Sequence, residues 1–402
     1  MIESREKKPD IAQYCQSLVA AIEQKLSRPL AASVRQAFLQ VPRHIFISSF
    51  FEGKQLHVAP HPCDEQAWHT WLRKIYTDEA LTTKQDILGL PTSSSSQPSV
   101  MAVMLESLNV QPENYVLEVG TGTGYNAALL GHLVAHPSQI TTMDIDPELI
   151  CLARPCIEHT IGEGEMVLTG NGLLGYTPNA PYDRLIATGS TLPIPIAWMQ
   201  QLQTGGKLVL DMRGRLSGGL LLLEKPGHER AIGRFLPEWH HIHFMSLRAA
   251  ATDEVSPCLP KNYQQLPLQE HVSLTPHDAA YDCASHFSSY EQFRGQDNAV
   301  NLWLQWALPE VFIKWKGRPE ASYAVVTDAR TVVTIARREQ GIEVIARGER
   351  PLWSNTLQAY QDWCSAGKPG WEAYTLLIDQ HNQHIHMNHQ GIHRMFPLTV
   401  IA

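Results

Sequence analysis

The stretch LEVGTGTGY occupies residues 117–125 and places glycines at 120, 122 and 124, directly after a short apolar run. Glycine allows tight turns and lets backbone amides come close to a ligand where a helix begins. The next apolar run ends in Asp144, twenty residues after Gly124. A carboxylate at that point can accept hydrogen bonds from both hydroxyls of a ribose. The pattern predicts a strand, a glycine turn and a helix that bind a nucleotide-like ligand.

Apolar runs and helical patterns alternate on both sides of this unit. Strand-like runs cover residues 115–120, 139–144, 165–169, 184–187 and 207–212, and helical patterns cover 125–136, 148–158 and 196–202. Such alternation is typical of parallel strands connected by helices. We therefore expect an α/β fold with a Rossmann-like, doubly wound sheet.

The N-terminal and middle parts of the chain differ in pattern. Amphipathic helices near the start are followed by an irregular stretch at 52–97 that is rich in Pro, His and Ser. We expect residues 1–90 to form an N-terminal helical cap segment and residues 91–250 to form the ligand-binding domain.

The C-terminal part is expected to be a separate unit. A loop-rich stretch begins near residue 251, a helical pattern follows at 300–314, and strand-like runs lie between residues 323 and 387. We expect residues 251–402 to form a C-terminal α+β accessory domain.

Composition narrows the classes of partner and compartment. The chain has 402 residues, a net charge of −8 and no basic stripe, so neither nucleic acid nor a membrane surface is expected as a partner. Its N-terminus is charged, without an apolar run behind it, so no signal peptide is expected. The seven cysteines form no Cys-x-x-Cys pair, which favours a reducing compartment. We expect a cytoplasmic protein.

The acidic residue before the glycines bears on which nucleotide is bound. Dinucleotide sites carry Gly-x-Gly-x-x-Gly, whereas this sequence reads Glu-x-Gly-x-Gly-x-Gly, beginning at Glu118. A carboxylate directed at the ligand would repel a pyrophosphate and attract a cation. S-adenosylmethionine carries a sulfonium and an ammonium and has no phosphate. The pattern favours this methyl donor over NAD, with an NAD-dependent oxidoreductase as the alternative.

The glycine motif resembles motif I of class I methyltransferases, and in particular that of the protein-L-isoaspartate O-methyltransferase family. Further stretches resemble the family's other motifs in the same order, and together they cover roughly residues 30–248: VPRHIF (41–46), SSQPSVMAVMLESL (95–108), DIDPEL (144–149), APYDRLIATGS (180–190) and QLQTGGKLVL (201–210).

The resemblance implies a carboxyl O-methyltransferase of protein repair that uses S-adenosylmethionine. Its acceptor would be the free carboxylate of isoaspartyl, or selected aspartyl, residues in proteins or peptides, and the methyl ester would lead to a succinimide. Ser96 would be the catalytic residue, with the acceptor also bound by Ser95, Gln97 and Pro98. The implied donor-binding residues are Glu118, Gly120, Thr121, Gly122, Gly124, Tyr125, Asp144, Ile145, Asn171 and Gly172.

The sequence departs from the family pattern in three places. Gly170-Asn171-Gly172 replaces Gly-Asp-Gly, so Asn171 would meet the adenine through its carbonyl oxygen. The loop DILGLPTSS (86–94) differs from the family loop, and the chain continues after residue 250. These departures resemble members that mature peptide natural products, whose precursor peptide the C-terminal domain would bind. A non-catalytic module that binds the donor without using it is a further alternative.

Two other patterns have simpler explanations than function. The serines at 93–96 would, without the flanking motif, be a flexible linker. His384 and His386 would share one face of a strand, but no cysteine or carboxylate cluster accompanies them. We therefore predict no metal site.

Overall fold

The computed structural model describes residues 10–163, 166–236, 239, 242–250, 259, 262–294, 299–317, 323–328, 330–379 and 382–398. Its helices are α1 (Ile11–Leu26), α2 (Ala32–Gln40), α3 (Glu65–Ile75), α4 (Pro98–Leu108), α5 (Tyr125–Gly131), α6 (Pro147–Ile161), α7 (Ile196–Gln201), α8 (Tyr281–Phe287), α9 (Tyr290–Arg294), α10 (Ala299–Ala307) and α11 (Leu352–Ser365). None of these helices combines the length and the apolar character that crossing a lipid bilayer requires.

The strands are β1 (Ser49–Glu52), β2 (Gln55–Val58), β3 (Leu81–Gln85), β4 (Pro91–Ser95), β5 (Val116–Val119), β6 (Ile140–Asp144), β7 (Met166–Thr169), β8 (Tyr182–Thr191), β9 (Leu202–Arg213), β10 (Gly218–Gly227), β11 (Arg230–Phe235), β12 (Leu268–Leu274), β13 (Phe312–Lys316), β14 (Tyr323–Thr327), β15 (Thr331–Arg338), β16 (Gly341–Gly348), β17 (Tyr374–Ile378), β18 (Gln383–His389) and β19 (Ile392–Pro397).

The largest sheet has ten strands in the order β19-β18-β17-β11-β10-β9-β8-β5-β6-β7. The strands β7, β6, β5, β8 and β9 are parallel to one another, and the remaining pairs are antiparallel. The chain winds outward in opposite directions from β5 and from β8, which makes the space between these two strands the topological switch point. The predicted α/β, Rossmann-like, doubly wound fold is confirmed.

Apolar cores lie on both faces of the large sheet. Successive side chains of a strand point to opposite faces, so neighbouring residues of β5 belong to different cores. Val116 packs with α1, α2, α4, α5 and α6 in one apolar core. Leu117 and Val119 belong to a second core on the other face, which also contains Trp198 of α7 and Trp303 of α10. Side chains from α7 and from helices that follow residue 250 therefore belong to the same apolar core as this face of β5.

The N-terminal segment contains a second sheet, of four strands in the order β2-β1-β3-β4. The prediction that residues 52–97 are irregular is wrong for this region. The strands β3 (LTTKQ) and β4 (PTSSS) have no apolar alternation, so their sequences give no strand signal. The serine tract is one of these strands, with Ser95 opposite Leu81, and not a flexible linker.

The segment after residue 250 contributes to two sheets. The strands β12 to β16 form an antiparallel sheet in the order β12-β16-β15-β14-β13. The strands β17 to β19 join the ten-stranded sheet, where Thr375 to Ile378 of β17 lie opposite Arg234 to Ala231 of β11. Residues 251–402 therefore supply the last three strands of the sheet that holds the glycine motif, and the predicted boundary at residue 250 divides this sheet.

One predicted helix of this segment is too long. The helical pattern at 300–314 corresponds to α10, which ends at Ala307, and to strand β13, which begins at Phe312. Pro309 explains the difference, because a residue that precedes proline is disfavoured in helical conformation.

Candidate active site

A cleft lies where β5, β6 and β8 end and where strand β4 approaches them. This is the switch point at which ligands bind in open α/β sheets. The cleft brings together nine of the residues predicted from the sequence: Ser95, Ser96, Gly120, Thr121, Gly122, Tyr125, Asp144, Ile145 and Gly172.

The first two glycines of the motif have backbone conformations that other residues rarely adopt. Gly120 has a φ of +98°, and a β-carbon there would lie 2.5 Å from the Thr188 hydroxyl oxygen. Gly122 has a φ of +53°, and its β-carbon position faces strand β4, 3.6 Å from the Ser94 carbonyl oxygen and 3.8 Å from Ser93 Oγ. The serine tract therefore lies directly against the glycine loop, and both line the same cleft.

Amides of the glycine loop are bonded within the protein. The amides of Gly120 and Thr121 donate to the Met143 carbonyl at 2.8 and 3.2 Å. The Gly122 amide donates to Asp144 Oδ2 at 2.9 Å. A phosphate cradle needs such amides to point at the ligand. A loop whose amides already have acceptors, one of them a carboxylate, is therefore poorly suited to a pyrophosphate.

The third glycine serves packing between helices. Gly124 precedes α5 with a φ of +86°, and a β-carbon there would lie 2.9 Å from Ile157 Cγ1 and 3.1 Å from the Ala153 β-carbon, both on α6. The absence of a side chain lets α5 and α6 approach closely. Gly124 is not among the residues that line the cleft, and its donor-binding role stays a prediction.

Glu118 also lies outside the cleft lining, contrary to the predicted role of its carboxylate. It is on the same face of β5 as Val116, while Val119 on the opposite face reaches the cleft. Its two oxygens accept hydrogen bonds from Asn126 Nδ2 at 2.8 Å and from Thr142 Oγ1 at 2.6 Å. Burial raises the pKa of Glu118 to about 7. Glu118 thus connects β5 to α5 and β6 through these hydrogen bonds.

Asp144 lines the cleft at the end of β6, where the sequence places it. Its oxygens accept hydrogen bonds from the amides of Gly122 at 2.9 Å and Asp146 at 3.1 Å. Burial raises its pKa above the ordinary value for an aspartate. Each carboxylate oxygen has two lone pairs, so Asp144 retains the capacity to accept from ligand hydroxyls.

Asn171 is not among the residues that line the cleft, and its contact with the adenine stays a prediction. Its side-chain oxygen accepts the Leu173 amide at 3.0 Å and thereby caps a short helical turn. The neighbouring residues Gly172 and Leu173 form this part of the lining. Trp198 fixes the turn by donating its indole N–H to the Gly172 carbonyl at 2.8 Å.

Arg43 is a residue of this site whose role the sequence analysis missed. The side chain is fully buried and donates to the carbonyl oxygens of Ser95 at 3.4 Å and Ser96 at 3.2 Å, and to Ser95 Oγ at 3.3 Å. Burial lowers its pKa to about 10, so the guanidinium stays charged at neutral pH. Arg43 belongs to the VPRHIF stretch, which therefore fixes the backbone of the serine tract.

Gln97 and Pro98 lie at the start of α4 and are not among the residues that line the cleft, so their acceptor-binding role stays a prediction. Asp78 Oδ1 accepts the Ser99 amide at 2.7 Å, and Asp78 Oδ2 accepts Gln97 Nε2 at 3.1 Å. Pro98 is the buried first residue of the helix. Because Asp78 already accepts the Ser99 amide at this helix end, that amide is not available to a ligand carboxylate.

The segment 245–248 is a second part of the lining that the sequence analysis missed. The Ser190 amide donates to the Met245 carbonyl, and the Leu247 amide donates to the Ser190 carbonyl, each at 2.8 Å. This fixes the segment beside the end of β8. Arg248 brings a positive charge to the cleft, and that charge partly offsets the effect of burial on the pKa of Asp144.

Lys84 connects the β3–β4 hairpin to the other side of the cleft. Its Nζ lies 2.7 Å from Asp146 Oδ2 and 2.5 Å from Glu148 Oε2, at the start of α6. Partial burial lowers the pKa of Lys84, but the hydrogen bonds to Asp146 and Glu148 raise it further, so the pKa lies above its ordinary value. Asp146 follows Asp144 by two positions, so the ion pair between Lys84 and Asp146 connects the β3–β4 hairpin to the end of β6 that carries Asp144.

Within the described ranges, no group of three or more His, Cys, Asp or Glu side chains has metal-binding geometry. His386 and His393 stack with ring centroids 5.7 Å apart. His381, at the start of the histidine-rich stretch, lies outside the described residues.

Comparison with known proteins identifies relatives of the whole cleft-bearing region. A sequence model of the family described as protein-L-isoaspartate (D-aspartate) O-methyltransferase matches residues 18–242, more than half of the chain. The protein-L-isoaspartate O-methyltransferase of Methanopyrus kandleri is 33% identical over 193 residues, which are 48% of this chain and 74% of that protein. That of Methanoregula boonei is 33% identical over 209 residues, 51% of this chain and 83% of that protein.

The structural likeness extends further along the chain. A solved structure of a protein-L-isoaspartate O-methyltransferase matches with a TM-score of 0.51 and 20% identity, and the match covers 92% of this chain and 98% of that one. At this identity the match bears on fold alone. Its span includes residues that follow position 250.

Proposed function

The chain belongs to the protein-L-isoaspartate (D-aspartate) O-methyltransferase family, and we propose that it transfers a methyl group from S-adenosylmethionine to the free carboxylate of isoaspartyl residues in proteins or peptides. The observation that supports the proposal is the contact between the serine tract and the glycine loop, because the predicted acceptor residues and the predicted donor residues then line one cleft. Family membership does not favour an NAD-dependent oxidoreductase or a non-catalytic module.

The chemistry of the cleft fits this methyl donor. Asp144 offers carboxylate oxygens, and Asn126 Oδ1 and Tyr125 Oη are buried without a partner in the described part of the chain. Such groups suit a ligand with hydroxyls, an ammonium and a sulfonium, and no phosphate. We assign the donor to Gly120, Thr121, Gly122, Tyr125, Asp144, Ile145 and Gly172. When bound, S-adenosylmethionine supplies an electrophilic methyl group on a sulfonium.

The acceptor needs positioning more than activation. A carboxylate with an ordinary pKa of about 4 is ionised at neutral pH, so no general base is required to make the nucleophile. Ser96 is proposed to donate its hydroxyl to the non-reacting carboxylate oxygen, which orients the other oxygen toward the methyl group. Arg43 holds the backbone of Ser95 and Ser96, and the charge of Arg248 favours an anionic acceptor.

The ester product accounts for a role in protein repair. The next backbone nitrogen of the acceptor can attack the methyl ester and expel methanol, which gives a succinimide. Hydrolysis of that ring restores part of the normal aspartate. The described cysteines are free thiols, which fits a cytoplasmic enzyme.

A precursor peptide is the second candidate acceptor. The observation in its favour is a cleft on the five-stranded sheet, lined in part by Tyr263, Tyr323, Arg338 and Arg347. Aromatic and cationic side chains around an open cleft suit a peptide ligand. Methylation of one precursor and of no generic isoaspartyl peptide would favour this candidate.

The test of the proposed function is transfer of labelled methyl groups to two peptides that differ only in isoaspartate or aspartate at one position. We expect base-labile label on the isoaspartyl peptide. Ser96→Ala should lower kcat while donor affinity stays nearly unchanged, and Asp144→Ala should weaken donor binding by about 1–3 kcal/mol. Ser107→Ala on α4, outside the cleft, is the control. Equal label on both peptides, or full activity of Ser96→Ala, would contradict the proposal.

A further inference from the structure

The turn between β3 and β4 presents apolar side chains to solvent. Ile87 is 102% exposed, Leu88 72% and Leu90 41%. Single exposed apolar residues are common on protein surfaces, but three within four positions form a patch. We call residues 86–90 the apolar tip.

The apolar tip is held in one conformation. Asp86 Oδ1 accepts the amides of Leu88 and Leu90, both at 2.8 Å. The Asp86 amide donates to the Leu90 carbonyl at 2.9 Å, and the Gly89 amide donates to the Asp86 carbonyl at 3.0 Å. Gly89 has a φ of +82°, a conformation that suits glycine. These bonds order the turn with its apolar side chains directed to solvent.

The apolar tip directly precedes, in the chain, the part of the cleft lining in which Ser96 is proposed to bind the acceptor. Leu90 directly precedes Pro91, and the cleft lining begins at Pro91 and runs to Ser96. A strand advances about 3.3 Å per residue, so the tip lies about 20 Å along the strand from Ser96. An extended acceptor whose carboxylate is at Ser96 reaches the tip with residues about six positions away.

The hairpin that carries the tip is anchored at its sides. Gln85 Nε2 donates to the Gly53 carbonyl at 2.7 Å, in the turn between β1 and β2. Lys84 forms its ion pairs with Asp146 and Glu148. The tip is therefore a fixed apolar surface beside the opening of the cleft.

We propose that the apolar tip docks apolar side chains of the acceptor polypeptide, several residues from the isoaspartate that is methylated. The inference rests on the proposed function and adds a sequence preference to it. The acceptor class is an extended or locally unfolded polypeptide in which the damaged residue is followed or preceded by apolar residues. Short acceptors without such residues would use the cleft alone.

The test uses the full chain and two isoaspartyl peptides of equal length. One peptide carries leucines, and the other serines, about six positions before and about six positions after the isoaspartate, where the acceptor reaches the tip. We expect kcat/KM for the leucine peptide to be about tenfold higher in the wild type, the effect of partly burying two apolar side chains. The double variant Ile87→Ser/Leu88→Ser should lose this preference. Its donor affinity and its kcat for the serine peptide should stay unchanged.

Leu152→Ser is the matched control, because Leu152 is 60% exposed on α6 and does not line the cleft. It should keep the wild-type preference. An undiminished preference in the double variant would overturn the inference, as would equal rates of the wild type on both peptides. A wild-type dimer that the double variant loses would assign the tip to a second copy of the chain and also overturn it. Absence of transfer to every isoaspartyl peptide, with donor binding intact, would instead contradict the proposed function itself and the inference with it.

Discussion

Glu118 illustrates how a carboxyl group in a ligand motif can act on stability. It is fully buried, and its oxygens are bonded to Asn126 and Thr142. Burial raises its pKa from the ordinary value of 4.5 to about 7. A carboxyl whose pKa is higher in the folded than in the unfolded chain binds its proton more tightly when folded. The free energy of unfolding therefore falls as pH rises from about 4.5 to about 7.

Glu118→Gln should remove this part of the pH dependence. The amide stays neutral, its oxygen can still accept from Asn126, and its nitrogen can donate to Thr142. The free energy of unfolding of the wild type should fall by up to about 3 kcal/mol across that pH range because of Glu118. The variant should lack this fall, so its stability relative to the wild type should rise by the same amount. Urea unfolding at a series of pH values measures it, with the exposed Glu113→Gln as the control. A constant difference between variant and wild type across this range would contradict the prediction.

At the scale of residues, the sequence predicted where residues lie along the strands and turns better than the face to which each side chain points. Gly120 and Asp144 line the cleft because a strand end followed by a turn determines where they lie. Glu118 has the same motif signal, but its parity in β5 turns it to the face of Val116. Arg43 is far from the motif in sequence, and its contact with the serine tract depends on tertiary packing.

At the scale of elements, the β3–β4 hairpin joins the two halves of the cleft. Its serine strand contacts the glycine loop, and Lys84 binds the start of α6. Neither strand carries apolar alternation, so the pairing that creates the hairpin was not predictable from periodicity. The strands β5 and β6 were predicted nearly to the residue, because buried parallel strands are rich in apolar residues and each of these ends at a turn signal.

Lys84→Met should loosen the hairpin over the cleft. Because the ion pairs are partly exposed, we expect kcat/KM for the acceptor to fall by up to about fivefold, with less effect on donor affinity. Lys74→Met is the matched control, since Lys74 has similar exposure and also binds two carboxylates, Glu52 and Glu79, away from the cleft.

A charge exchange strengthens this test. Lys84→Glu combined with Glu148→Lys should recover part of the activity, and added salt should lower the wild-type value toward that of Lys84→Met. Steady-state kinetics with saturating donor measures all of these variants. Equal activity of Lys84→Met and the wild type at low salt would show that the ion pairs do not position the hairpin.

At the scale of the whole molecule, the segment after residue 250 completes the core of the methyltransferase sheet. Trp303 of α10 and Leu376 of β17 share one apolar core with Leu208 of β9. The Gln383 side chain donates to the Ile194 carbonyl at 2.6 Å and accepts the Ile194 amide at 3.0 Å. The apolar runs predicted β14 to β18 of this segment, but not β12, β13 or β19. The division of these strands between two sheets could not be predicted, because periodicity does not specify which edge a strand joins.

A chain that ends at residue 250 should therefore fail to give soluble, folded protein, because one face of β9–β11 would be exposed. Gln383→Ala offers a milder test in the full chain. It leaves two buried backbone groups of Ile194 unpaired, which should cost about 1–3 kcal/mol of unfolding free energy. Gln390→Ala, in the exposed turn between β18 and β19, is the control. Thermal unfolding and donor titration measure both variants. A truncated chain that binds donor with unchanged affinity would establish residues 251–402 as a separate domain after all.

The pairing of β11 with β17 also affects how the chain is made. Phe235 ends β11 and Tyr374 begins β17, so the two strands are 139 positions apart (374 minus 235). Ribosomes add about 5–20 residues per second, so β11 is synthesised roughly 7–28 s before its partner. During that interval its edge offers unpaired amides and carbonyls to neighbouring nascent chains. The length of the intervening segment therefore sets how long this edge stays unpaired during synthesis.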